Sequence, residues 1–267
     1  MPKSSQHNQS SSTVAALELD GNSLTLEALW EVAHGRVSLA LAPPALVRID
    51  EARRCIQSAI EQHRVLYGVT TGFGKLSTVN IPLGDVEQLQ YNLLLSHATG
   101  TGEPLPLATV RAILALKANA LAKGLSGCRR EVVQTIVEMA NRGVIPVVPE
   151  KGSVGASGDL APLAHMALVL IGQGEAFFQG HRMAGGQAMA KAGIAPLRLA
   201  AKEGLALING TQVTTAILAL ALVEFEQLLK VADITAAISV EAMLGTATAF
   251  DPRIHRARGL CGQITSA

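Results

Sequence analysis

The chain has 267 residues, with 22 Lys and Arg against 21 Asp and Glu, 49% hydrophobic residues and 3% aromatic ones. The near balance of charge and the lack of aromatics exclude a broad basic surface lined with stacking side chains, so no nucleic-acid partner is expected. A large core is expected, built from Ala, Leu, Val and Ile. Because Ala and Leu are the better helix formers, the expected fold is all-α, a bundle of long helices with Gly-rich loops and at most one small hairpin. Cys55, Cys128 and Cys261 show no CxxC spacing and read as reduced thiols of a cytoplasmic protein.

In chain order, residues 1–14 are Ser-rich and polar without the apolar stretch of a signal peptide, and a disordered leader is expected there. Residues 15–267 form the helical part, with no Gly/Ser linker or internal repeat. A first helix carries Leu26, Leu29, Val32 and Ala33, with Ser23 or Thr25 as cap and Gly35 as stop. After Pro43-Pro44 a second runs from Ala45 to His63, presenting Leu46, Ile49, Ala52, Ile56 and Ile60 on one face. Leu66 to Lys75 reads LYGVTTGFGK, an ordered loop. Helical periodicity returns over Asp85–His97, Leu107–Lys123 and Arg129–Asn141. A second Gly-rich loop, Gly152 to Asp159, leads into an apolar helix over Leu160–Ile171, with Asp159 as its natural N-cap. Glu175 to Arg182 can form the single hairpin. From Lys202 to about Leu244 the chain is helical apart from Asn209-Gly210. Gly204 to Val223 is uncharged and long enough to span a bilayer, but Asn209-Gly210-Thr211-Gln212 sits in its middle, and amides are costly in hydrocarbon. A buried helix is expected, and no membrane partner.

In such a bundle the irregular loops are where chemistry sits. Gly72-Phe73-Gly74-Lys75 fails as a phosphate loop, because Val69 stands where the first Gly belongs and Leu76 follows the Lys; no nucleotide is expected. Ser157 fails as a nucleophile elbow, because Gly155-Ala156-Ser157-Gly158 is one residue out of register with G-x-S-x-G. A third reading has its own chemical logic. Gly158 has no side chain to obstruct its backbone nitrogen. Attack of that nitrogen on the Ala156 carbonyl closes a five-membered ring, and loss of two waters, one carrying the Ser157 oxygen, leaves an electrophilic methylidene-imidazolone (MIO). The tripeptide is common, and its neighbourhood is what singles it out.

Lys151 to Ala164 reads KGSVGASGDLAPLA and resembles the signature of the aromatic amino acid ammonia-lyases and related aminomutases. Tyr67 to Gly74 resembles that family's tyrosine loop, and Ala201 to Thr211 its asparagine segment; the resemblance runs from about Leu24 to the last residue. It implies an MIO formed from Ala156, Ser157 and Gly158 as the only cofactor, without metal. It implies Tyr67 as the base, which needs nearby positive or hydrogen-bonding groups to act as phenolate, and Asn209 as a contact to the MIO or the substrate. The Ser96-His97 pair resembles the histidine-specific members, where a polar imidazole needs a buried partner. His97 is therefore expected to read the substrate ring, and L-histidine is the expected substrate, deaminated to urocanate and ammonia. His165 and His255 have no such support. The alternatives are a phenylalanine or tyrosine ammonia-lyase or aminomutase, and an inactive truncated helical scaffold. The family implies a homotetramer and a longer chain, whose remaining part supplies a second tyrosine, a carboxylate-binding arginine and a glutamate. Apolar faces over Gln212–Leu244 are expected to be an aggregation hazard for this chain alone.

Overall fold

A computed structural model describes residues 16–72, 81–155 and 158–267. They fall into two compact units, divided between Leu218 and Ala219.

The first unit opens with β1 (Leu17–Leu19), α1 (Leu26–Ala33) and β2 (Leu39–Leu41). Of the two cap candidates, Thr25 is the one used: its Oγ1 accepts the Ala28 N–H at 3.2 Å. α2 (Pro43–Glu61) begins earlier than its apolar periodicity, because both prolines fit the first turn, where no backbone N–H is needed. Then come α3 (Val86–His97), β3 (Thr101–Pro104), α4 (Leu107–Ala122) and α5 (Arg130–Arg142). β4 (Ile145–Pro146), β5 (Pro149–Lys151) and α6 (Leu160–Leu170) follow. β6 (Glu175–Phe178), β7 (His181–Ala184), α7 (Gly185–Lys191) and α8 (Glu203–Ile208) lead to α9 (Gln212–Ala242).

The all-α expectation holds. α4 sits at the centre of one packed group, against α1, α2 and α5, and buries Val110, Ile113, Leu114, Ala118 and Leu121. α6 centres the other group, packed on α3, α7 and α8, with Leu163, Met166, Val169 and Leu170 fully enclosed. Each such side chain contributes about 1.5–3 kcal/mol of burial. The expected hairpin is β6–β7; its turn residues, Gln179 and Gly180, both have positive φ (50° and 79°), as the right-handed strand twist favours. Other short strands had no counterpart in the sequence reading: β1 pairs parallel with β2, β3 antiparallel with β5, and β4 joins the hairpin sheet through β6.

The second unit contains the later part of α9, a 3-10 turn at Ala247–Phe250, α10 (Pro252–Arg258) and α11 (Cys261–Ser266). Phe225, Leu228, Leu229, Val231, Ile234 and Ile238 of α9 are exposed. Among the described residues no helix is long and apolar enough to cross a membrane; the Gly204–Val223 run is divided between α8 and α9.

Candidate active site

Ala156 and Ser157 lie outside the described residues, so this loop is read from its two ends. Gly158 has φ +102° and forms a parallel bridge with Gly210. The Asp159 N–H donates to the Gly210 carbonyl at 2.7 Å. A Cβ on Gly158 would stand 2.3 Å from that same oxygen, so only glycine allows the two backbones to meet. An unhindered glycine nitrogen is also what attack on the Ala156 carbonyl requires, and the residue present fits the MIO that the sequence implies.

Asp159 occupies the N-cap position of α6 but does not cap it with its side chain. This corrects the sequence expectation. N-cap residues take an extended backbone, whereas Asp159 has φ −90° and ψ 55°. Its carboxylate accepts from Thr214 N (2.8 Å), Thr214 Oγ1 (2.7 Å) and Ser153 Oγ (2.8 Å). Thr214 lies in the first turn of α9, so Asp159 satisfies an orphan amide there and places a negative charge at that helix's N-terminus. With 1% of its surface exposed, the carboxylate relies on all three donors.

Asn209 ends α8 in an extended conformation (φ −85°, ψ 119°). The residue is exposed, while its carbonyl accepts a bond from Lys117 Nζ at 3.0 Å. Lys117 lies within the buried face of α4, 1% exposed, and desolvation pushes its ammonium down to about 7. Sequence reading missed this residue; its one signal is a lone charge inside the apolar run Ala112–Ala122. The start of α8 is anchored as firmly. Gln90 Oε1 accepts from Gly204 N at 2.9 Å, and the fully buried Glu203 accepts from Arg129 Nε, Nη2 and backbone N and from Ala200 N, all within 2.9 Å. Burial pushes the Glu203 carboxyl up, and the bonds from Arg129 and the two amides outweigh it, leaving it below its ordinary value of 4.5.

His97 is the last residue of α3. Its Nδ1 lies 2.9 Å from the Leu93 carbonyl and 3.0 Å from Ser96 Oγ. A carbonyl can only accept, so Nδ1 carries the proton, and a neutral ring then has its acceptor at Nε2. Ser96 Oγ donates to the same carbonyl at 3.0 Å, so the pair acts as one unit at the helix end. The chain beyond it runs beside the start of the Gly-rich loop: Thr101 pairs with Lys151, and a Cβ on Gly152 would stand 3.1 Å from Gly100 Cα. His165 of α6 ties this turn by accepting the Gly100 N–H at Nε2 (3.0 Å); burial lowers its pKa, which favours the neutral ring that such an acceptor requires. Tyr67 lies in the turn over residues 67–70, 56% exposed. Val69 anchors that loop in a cluster with Val86 and Ala201. Gly158 thus meets the asparagine segment directly, the loop after His97 meets residues 151–152, and the tyrosine loop meets the chain just before α8. Residues 73–80, which include the end of that Gly-rich stretch at Lys75, lie outside the described residues.

Gly158 and Asp159, at the start of α6, are thus held against Gly210 between α8 and α9. The profile described as "Aromatic amino acid lyase" matches residues 24–267, and the chain belongs to that family. It is 52% identical over 251 residues to a histidine ammonia-lyase of Alkaliphilus metalliredigens, covering 94% of this chain and 50% of that relative. Among solved structures it resembles the histidine ammonia-lyase of Trypanosoma cruzi (TM-score 0.87, 38% identity, 93% of this chain and 48% of that one). It also resembles the phenylalanine aminomutase of Pantoea agglomerans (TM-score 0.88, 33% identity, 94% and 48%). The chain spans about half the length of the curated relatives it matches.

Proposed function

We propose that the chain belongs to an ammonia-lyase that converts L-histidine to urocanate and ammonia, with Ala156, Ser157 and Gly158 closing to an MIO. The observation that carries this reading is the meeting of Gly158 and Asp159 with Gly210, which joins two of the family-like motifs at the residues the chemistry needs. The MIO supplies an electrophile that draws electron density from the amino acid, without which its β-hydrogen is barely acidic. Tyr67 removes that hydrogen as base. Asn209 offers one amide donor and one acceptor to the bound molecules. His97, whose Nδ1–H donates to the Leu93 carbonyl, presents Nε2 as acceptor for the N–H of the substrate imidazole. The reading includes a homotetramer in the cytoplasm, and the exposed apolar row on α9 supports a protein partner surface there.

The first test is the intact mass of the purified chain. A deficit of two waters that is absent in Ser157→Ala is the expected result; the full encoded mass in the unsubstituted chain would mean that this chain does not assemble the electrophile. Substrate choice is tested with His97→Phe in the catalytically competent assembly. The kcat/KM for histidine is expected to fall about a hundredfold or more relative to phenylalanine, because a buried imidazole N–H loses its acceptor. An unchanged preference would remove His97 from ring recognition and bring the phenylalanine and tyrosine readings forward.

A further inference from the structure

We propose that Lys117 is a positioning residue, whose ammonium holds the Asn209–Gly210 segment against Gly158 and Asp159 and so sets the backbone of those two residues. The inference deepens the function proposed above and rests on it for the chemistry, although the contacts stand apart from it.

An ammonium at a position 1% exposed, on a helix that also buries Ile113, Leu114, Ala118 and Leu121, is a costly choice for α4, since desolvating a charge is strongly unfavourable. A methionine would fill the same length of space without that cost. What the ammonium does is donate to one carbonyl, that of Asn209 at 3.0 Å. That carbonyl lies in the break between α8 and α9, in an extended residue, so it does not lie within a helical run. It meets the buried Lys117, although Asn209 as a residue is exposed. The next carbonyl, that of Gly210, takes the Asp159 N–H at 2.7 Å and bridges Gly158. The orientation of one peptide plane restricts its neighbour. Lys117 therefore fixes from behind which way Asn209 faces and where the Gly210 carbonyl stands, and Gly158 has no freedom to differ from it.

The test compares Lys117→Met and Lys117→Gln with the unsubstituted full chain by amide hydrogen exchange and by the time course of water loss in intact mass. At pH 6, below the lowered pKa of about 7, Lys117→Met is expected to speed exchange at residues 158–160 and 209–214 by about tenfold or more, the loss expected for a hydrogen bond from a charged group, while the β6–β7 hairpin keeps its protection. Lys117→Gln, which keeps an N–H donor without the charge, is expected to fall between the two. Water loss should slow in the same order. Unchanged exchange at both segments would overturn the proposal, and so would an equal rise across the hairpin, because that is the behaviour of a residue that merely fills the core. If the unsubstituted chain loses no water, the MIO reading fails while the exchange data still decide the role of Lys117.

Discussion

Replacing Arg129 with alanine is expected to destabilise the first unit by about 2–3 kcal/mol, less than the cost of breaking a fully buried ion pair, because Glu203 is enclosed while Arg129 keeps 34% of its side-chain surface exposed. Glu203 is fully buried, and Arg129 supplies two of its side-chain donors. In the unsubstituted chain the folded-state pKa of Glu203 lies below its ordinary 4.5. Its contribution to stability is therefore complete above that value and is lost as the pH falls toward the folded pKa. In Arg129→Ala the balance reverses, because burial, the raising influence, loses its main opponent. The variant should be least stable near neutrality and should recover stability as the pH falls through the raised pKa. Urea melts at several pH values between about 4 and 8 read both the size and the sign. A loss below about 1 kcal/mol, the range of an exposed pair, would show that the pair is not structural. The double replacement Arg129→Met with Glu203→Leu removes both charges together and is expected to be much milder than the single one.

Gly158→Ala is expected to abolish the two-water mass deficit and to weaken the fold. Two effects add. A non-glycine residue at φ +102° costs about 1–3 kcal/mol. The new methyl carbon would also stand 2.3 Å from the Gly210 oxygen and 2.8 Å from its carbon, both backbone atoms, so the bridge must open. Gly143→Ala is the matched comparison: φ is +72° and nothing lies within 4 Å of its added Cβ, so it should lose about 1–2 kcal/mol from conformation alone and keep the deficit. Thermal melts and intact masses of the two variants separate strain from contact. A Gly158→Ala chain with the full two-water deficit would mean that the clamp does not govern ring closure.

The long helices were legible because 3.6-residue periodicity is written over ten or more residues, as in Leu160–Leu170 or Leu107–Ala122. The short strands were not. β4 has two residues and β1 three, too few to show alternation, and the pairing of β1 with β2 depends on where α1 returns the chain. At the site, the motifs named Gly158, Asn209, His97 and Tyr67 through resemblance. The groups that hold them were hidden for physical reasons. Asp159 looks like a local cap because sequence shows only its neighbours, while two of its three donors come from Thr214. Lys117 reads as a stray charge until the break in α8–α9 brings a carbonyl to it. The tautomer of His97 follows from Leu93, one helical turn back, and only a folded turn makes that visible.

The clamp on the Gly-rich loop also has a consequence in time. Asp159 and Thr214 are 55 residues apart, so at roughly 5–20 residues per second a ribosome makes the second about 3–11 s after the first. Throughout that interval the nascent chain carries Ala156-Ser157-Gly158 with neither Gly210 nor Thr214 in existence to shape it. Chemistry that depends on that shape belongs to the period after synthesis has passed Thr214. On the proposed ring closure, a chain released earlier would carry an ordinary, unreacted serine at position 157.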